Sequence, residues 1–224
     1  MFIVENYGLA IILCVITMIC WGSWANTTKL TSKTWRFELF YWDYGLGILL
    51  ATLLLAFTLG STGHEGRPFI DDIRQADTSS ILSSFAGGVI FNLANILLVA
   101  AIAIAGMSVA FPVGIGIALV LGVIVNYISV PQGNPVLIFS GVALIALAII
   151  LNARAYQKLQ SSSSSGVSKK GLILSVVSGC LMGLFYKYVA VSMVGNFNLP
   201  EAGKLTPYTA LVIFAVGIVV SSFL

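Results

Sequence analysis

The sequence predicts an all-α, polytopic transmembrane helical bundle, and three observations carry that reading. Charged residues make up 8% of the 224 positions against 58% hydrophobic, with a mean hydropathy of +1.02, whereas a soluble domain carries about 25% charged residues. No Asp, Glu, Lys, Arg or His occurs from residue 78 to residue 153, and no water-facing surface can be built from so long a stretch. Apolar runs are separated by short charged or Pro/Gly breaks, at intervals close to the roughly 20 residues a membrane crossing needs.

Seven spans follow in order. The first runs from Tyr7 to Trp24; Glu5 stands where a signal peptide would carry basic residues, so it is read as a membrane helix. The second covers Leu39–Leu59 and the third Ile81–Ala105. The fourth, Met107–Val130, follows almost at once, and Pro131-Gln132-Gly133-Asn134-Pro135 turns the chain into the fifth, Val136–Leu151. Spans three to five are therefore expected as tight hairpins. Residues 152–170, with the run Ser161–Ser165 and Gly166, read as a flexible polar linker. The sixth span is Gly171–Met193, and the seventh runs from Pro207 to Leu224.

Loop charge gives an orientation. With the linker inside, the inner loops hold Lys29, Lys33, Arg36, Arg154, Lys158, Lys169 and Lys170, and the outer ones only Arg67, Arg74 and Lys204. The positive-inside rule then expects an external N-terminus, a cytoplasmic segment 152–170 and a plasma (inner) membrane location. The net charge of +3 is too small and scattered for a nucleic-acid partner. Cys14, Cys20 and Cys180 lie in apolar runs without CxxC spacing, so no disulfide framework, metal site or cofactor is expected. No HExxH, GxSxG or Walker A sequence is present, which argues against an enzyme.

Span six echoes span one: placing Gly183 on Gly22 sets Phe185 on Trp24 and Lys187 on Asn26. Five spans before the linker suit a five-helix inverted repeat. The expected organisation is residues 1–151 as the first repeat, 152–170 as linker and 171–224 as the start of an incomplete second repeat, with about three further spans to follow.

Polar residues inside spans are costly, about 2.5 to 3.5 kcal/mol for a charge at mid-membrane, and so are informative. Asp43 shares its helical face with Gly47 and Ala51, a small-residue stripe that should turn it into the bundle. A desolvated carboxylate takes up a proton more readily, which makes Asp43 a proton-coupling candidate. Ser84, Gly88, Asn92 and Asn95 recur at steps of four, four and three on span three, a polar face able to hydrogen-bond hydroxyls, ureas or nucleobase-like edges. Span four carries Gly114, Ala118, Gly122 and Asn126, and Pro112 is expected to open its backbone beside a cavity. Span six carries Ser175, Gly179, Gly183 and Lys187, the last either inward or snorkelling to the interface. Trp21, Trp24 and Asn26, joined by Trp42, complete the expected solute path, stacking on and hydrogen-bonding a planar or sugar-like molecule. His64, among Glu65, Asp71, Asp72 and Asp77, reads as part of a solvated loop.

Cys20-Trp21-Gly22-Ser23-Trp24-Ala25-Asn26-Thr27 and Ala86-Gly87-Gly88-Val89-Ile90-Phe91-Asn92-Leu93-Ala94-Asn95 resemble the ureide permease family and its bacterial relatives, the glucose/rhamnose-type sugar transporters of the drug/metabolite transporter superfamily. Ala105-Gly106-Met107-Ser108-Val109-Ala110, Gly122-Val123-Ile124-Val125-Asn126-Tyr127 and Tyr41-Trp42-Asp43-Tyr44 are similar to further stretches of that family. The resemblance covers about residues 8–151 and implies a transporter of about ten helices in two five-helix halves, taking up a small polar solute with protons. Ala110-Phe111-Pro112 stands where plant ureide permeases carry an acidic residue, and their nucleotide-motif-like central stretch is absent. Those departures lean toward the sugar-transporter branch. The expected function is therefore proton-coupled sugar transport, with a ureide or nucleobase permease, a drug or metabolite exporter and a non-transporting scaffold as alternatives. Its partners are lipid, solute and protons, with a second copy of the chain as a candidate.

Overall fold

The computed structural model describes residues 1–27, 37–63, 65–129, 131, 133–160 and 168–223. Lys29, Lys33, Arg36, His64, the run Ser161–Ser165 and the side chains of Trp24 and Asn26 lie outside what is described. Among the described residues eight helices follow in order: α1 (Tyr7–Thr27), α2 (Phe37–Phe57), α3 (Phe69–Gln75), α4 (Thr78–Ala105), α5 (Met107–Ser129), α6 (Pro135–Gln160), α7 (Lys169–Ser192) and α8 (Pro207–Ser221). Seven of them match the seven apolar runs. Four contain stretches long and apolar enough to cross a membrane, Thr78–Ala105, Val109–Ser129, Pro135–Asn152 and Lys169–Ser192; Tyr7–Ser23, Tyr41–Phe57 and Pro207–Ser221 are shorter apolar helices. The protein is an all-α, multi-pass membrane helical bundle.

Two features depart from expectation. The short α3 has acidic Asp71 and Asp72 in its first turn and Arg74 in its last, the arrangement a helix dipole favours. Residues 152–160 continue α6 instead of starting a flexible linker. Ala153 to Gln160 contain no Gly or Pro and are mostly good helix formers, so nothing in them ends the helix.

The chain forms two compact units, one of residues 1–81 with 193–224, the other of residues 82–192. In the second, α4 and α5 are joined at Gly106, whose φ of +81° an L side chain would resist. Its N–H donates to the Ile102 carbonyl at 2.9 Å, closing the end of α4. α7 then packs on both. On α5 the two small-residue stripes meet: a Cβ at Gly179 would lie 2.5 Å from the Gly114 carbonyl oxygen, and one at Gly183 would lie 2.8 Å from Leu121 Cβ. Backbone thus lies on backbone, as small residues allow between membrane helices. The numbers rise together along both helices, so α5 and α7 are parallel. On α4 they run in opposite senses, with Gly87 against Val189, Ala94 against Ser178 and Ala105 against Gly171. α6 folds back on α5 through Tyr127–Phe139, ring centroids 5.4 Å apart, and Gly116–Ile149. In the first unit α2 and α8 are antiparallel, with Trp42 at Phe223, Gly45 at Ile218 and Gly60 at Tyr208. Each of these directions is the one that seven successive alternating crossings require.

The loops of the first unit are tied by a buried polar clasp. Asp72, fully buried, pairs with Arg67 at 3.0 Å and accepts hydrogen bonds from the Thr206 N–H at 2.8 Å and hydroxyl at 3.0 Å. Arg67 also donates to the carbonyls of Pro200 and Glu201, and Gln75 donates to that of Lys204 while accepting from the Gly203 N–H. The sequence reading of this region as a merely solvated loop is corrected here: beside the local Arg67–Asp72 pair, the clasp's other partners lie more than a hundred residues away.

The glycine contacts give a graded test. Gly179→Ala puts a methyl into the Gly114 backbone and should destabilise by about 1–3 kcal/mol, whereas a Cβ at Gly122 meets nothing nearer than 3.8 Å. Thermal melting in detergent should show a large drop for Gly179→Ala and little change for Gly122→Ala; equal drops would contradict the packing described.

Candidate functional site

Hydroxyls in apolar helices of this chain are mostly spent on their own backbone. Thr17, Ser23, Ser129, Ser175 and Ser221 each donate to the carbonyl four residues earlier, which costs little beyond a slight bend and hides the polar group. Ser83 and Ser178 break that habit. Ser83 donates to the Tyr188 carbonyl at 2.7 Å and Ser178 to the Ala94 carbonyl at 2.6 Å, both between α4 and α7.

The polar face of α4 lies about a quarter turn round the helix from the residues that meet α7, and it is buried as well. Ser84, Asn92 and Asn95 are at most 2% exposed, and Gly88 is buried with them. The face is lined further by the Phe91 ring, edge-on to Phe185 with centroids 5.1 Å apart. Among the described residues no buried side-chain nitrogen or oxygen lacks a hydrogen-bond partner, and Ser84, Asn92 and Asn95 each engage a neighbour. The result is an uncharged, amide- and hydroxyl-bearing face. No group of His, Cys, Asp and Glu able to hold a metal occurs among the described residues. Amides and hydroxyls of this kind can exchange hydrogen bonds with a neutral polar molecule.

Other expected site residues fall elsewhere. Asp43 is exposed, as are Gly47 and Ala51, a correction to its expected inward aspect: α2 turns Tyr41, Gly45 and Ala56 to its packed side instead. A helix carries two candidate small faces here, and α8 takes the one through Gly45, whose Cβ would sit 3.8 Å from Ile218 and Val219. Trp42 stacks edge-on to Phe223 at 4.3 Å. Lys187 is exposed although Gly179 and Gly183 on its stripe are buried. Pro112 does not open α5, which continues from Met107 to Ser129; being in the second turn, the proline costs the helix one hydrogen bond and no more. Trp21 is 40% exposed on α1. Sequence reasoning missed Ser178 and the Phe91–Phe185 pair. Ser178 lies beside Gly179 in the packed stripe, and a count that admitted three-residue steps would have included it.

The sequence pattern of the ureide permease family matches residues 40–170. The chain is 30% identical to Ureide permease 2 of Arabidopsis thaliana over 70% of its own length and 41% of that protein. It is 30% identical to Ureide permease 5 of the same plant over 75% of its length and 42% of the relative, and 29% identical to Probable ureide permease A3 of Vigna unguiculata over 85% and 49%. The chain thus spans less than half the length of these curated relatives. No solved structure matches it. These matches overturn the lean toward sugar transport, which rested on Ala110-Phe111-Pro112 and a missing loop motif: similarity sustained over most of the chain outweighs one local departure. The chain belongs to the ureide permease family.

Proposed function

We propose that this chain is the membrane-embedded part of a permease for a small, neutral ureide- or nucleobase-like solute, and not an enzyme. The observation that carries the reading is the buried, uncharged face of Ser84, Asn92 and Asn95 on α4 in a member of this family. A ureide or nucleobase edge presents alternating N–H and C=O groups, and a carboxamide offers the matching donor and acceptor side by side. Because the face is already hydrogen-bonded internally, a solute would enter by exchanging those bonds one for one. Specificity follows from the same economy: a molecule lacking the matching groups leaves buried amides unpaired, at about 1–3 kcal/mol each.

The organisation proposed with it is a five-helix inverted repeat of residues 1–151, a connecting segment 152–170 on the cytoplasmic side and a second repeat beginning in 171–224. The N-terminus is placed outside and the protein in the plasma membrane. The loop charges support that orientation. Lipid surrounds the helices, Trp21, Trp24, Asn26, Trp42, Pro112 and Lys187 border the route rather than grip the solute, and Asp43 is proposed as the site at which a coupling proton binds. A homodimer is compatible with the exposed apolar faces and is not needed for the reading.

Uptake into proteoliposomes of labelled allantoin, uracil and glucose tests the reading. The expected result is saturable uptake of allantoin or uracil and none of glucose. Asn92→Ala or Asn95→Ala should raise KM about tenfold, the loss of about 1.4 kcal/mol of binding, with expression unchanged; variants indistinguishable from the parent would reduce the amides to helix packing. Asp43→Asn should abolish the stimulation by an imposed pH gradient while leaving solute exchange at equal pH intact. Full stimulation in that variant would remove Asp43 from coupling.

A further inference from the structure

Charge in the second unit has one sign only. Residues 82–192 contain Arg154, Lys158, Lys169, Lys170 and Lys187 and no Asp, Glu or His. The first four gather at one end. α6 lies antiparallel on α5 with Ile149 at Gly116, so Lys158, further along by as many residues as Met107 precedes Gly116, comes level with the start of α5. Gly171 packs on Ala105, the last residue of α4, which puts Lys169 and Lys170 at that same end. Arg154, Lys158, Lys169 and Lys170 are all exposed.

The medium around these cations is the lipid leaflet. None of the apolar stretch Pro135–Asn152 of α6 is buried in the protein, so lipid reaches the helix where it leaves the hydrocarbon. The helix continues unbroken to Gln160, which carries Arg154 about 3 Å and Lys158 about 9 Å past Asn152 at about 1.5 Å per residue. A headgroup layer is about 5–7 Å deep on each side of the hydrocarbon. Arg154 therefore stands within that layer and Lys158 at its outer edge, one turn apart on one face of the helix.

On α6 the basic residues suit the helix, since Lys158 lies in the last turn, where the dipole is negative. On α7 they oppose it. Lys169 and Lys170 open the helix, its first turn carries no acidic residue, and the N-terminal end of the dipole is itself positive. Like charges are stacked at the entrance to α7, and the unit has no acidic residue to offset them. Elsewhere on the expected cytoplasmic side the sequence supplies Glu38 and Asp43 against Lys29, Lys33 and Arg36, which leaves no surplus of acid. Lys158 also engages a neighbour, and the weight of the site falls on Arg154, Lys169 and Lys170.

We propose that Arg154, Lys158, Lys169 and Lys170 bind the headgroups of anionic phospholipids in the adjoining leaflet. A guanidinium takes a phosphate through two parallel hydrogen bonds, and the ammonium groups add point charge. Basic clusters just outside a membrane helix are drawn to anionic lipid in this way. A zwitterionic lipid has the same phosphate but cancels its charge with an amine, so the site selects net negative charge. The inference does not depend on what the protein carries.

Native mass spectrometry of the full-length protein, incubated in detergent with equal amounts of phosphatidylglycerol and phosphatidylcholine, tests the site. Phosphatidylglycerol should be retained at least about tenfold over phosphatidylcholine. Arg154→Gln, Lys158→Gln, Lys169→Gln and Lys170→Gln together should bring the two lipids within about twofold of each other, while Lys187→Gln, at the other end, should leave the preference unchanged. Equal retention by the parent overturns the site, and so does a preference that survives the four substitutions. Two paired variants serve if the fourfold one does not fold: Arg154→Gln with Lys158→Gln, and Lys169→Gln with Lys170→Gln. Each pair should lower the preference at least about threefold, and no change in either overturns the site. Displacement of the lipid by an equal concentration of glycerol 3-phosphate would assign the affinity to a soluble anion and overturn the lipid site as well.

Discussion

The contact on which the second unit depends is the approach of α7 to α5 at their glycines. Between helices in lipid there is no water to expel, so close packing and interhelical hydrogen bonds must supply the attraction. Gly114, Gly179 and Gly183 remove the side chains that would hold the helices apart, and backbone atoms then meet at van der Waals distance. That contact fixes the rotation of α7. Once Gly179 and Gly183 face α5, the neighbouring stripe of Ser178, Phe185 and Val189 is left to meet α4.

The amide face of α4 lies about a quarter turn from the residues that meet α7. Turned to acyl chains, Asn92 and Asn95 would cost several kcal/mol each, and both are instead buried. On the adjoining face the Ser178 hydroxyl leaves its own helix to bond the Ala94 carbonyl, whereas most other described hydroxyls in these helices bond locally.

Much of this was legible in the sequence. Span limits followed from charge and Pro/Gly breaks, and Tyr7, Ala105 and Met107 bound both the expected spans and the observed helices. The polar face of α4 and the glycine stripes of α5 and α7 followed from helical spacing. What spacing does not encode is the partner. Nothing local says that the Gly114 stripe meets Gly179, or which of two small faces α2 turns to α8, and so Asp43 was expected inward. The Asp72 clasp was hidden for the same reason: Arg67 and Thr206 are distant in sequence, and charges beside Glu65 and Asp71 read as solvated. The lean toward sugars failed differently, by weighting one tripeptide over the similarity of the whole.

Cysteine-pair mapping in native membranes tests the central claim, that α7 lies antiparallel on α4 in one register. With the three native cysteines changed to Ser, Phe91→Cys with Phe185→Cys, and Ala94→Cys with Ser178→Cys, should each form a disulfide on mild oxidation. Phe91→Cys with Gly171→Cys, and Ala94→Cys with Val189→Cys, should not. Cross-linking of the mismatched pairs in place of the matched ones would mean that α7 does not lie on α4 in this direction and register, and the packing of the second unit as described would fall.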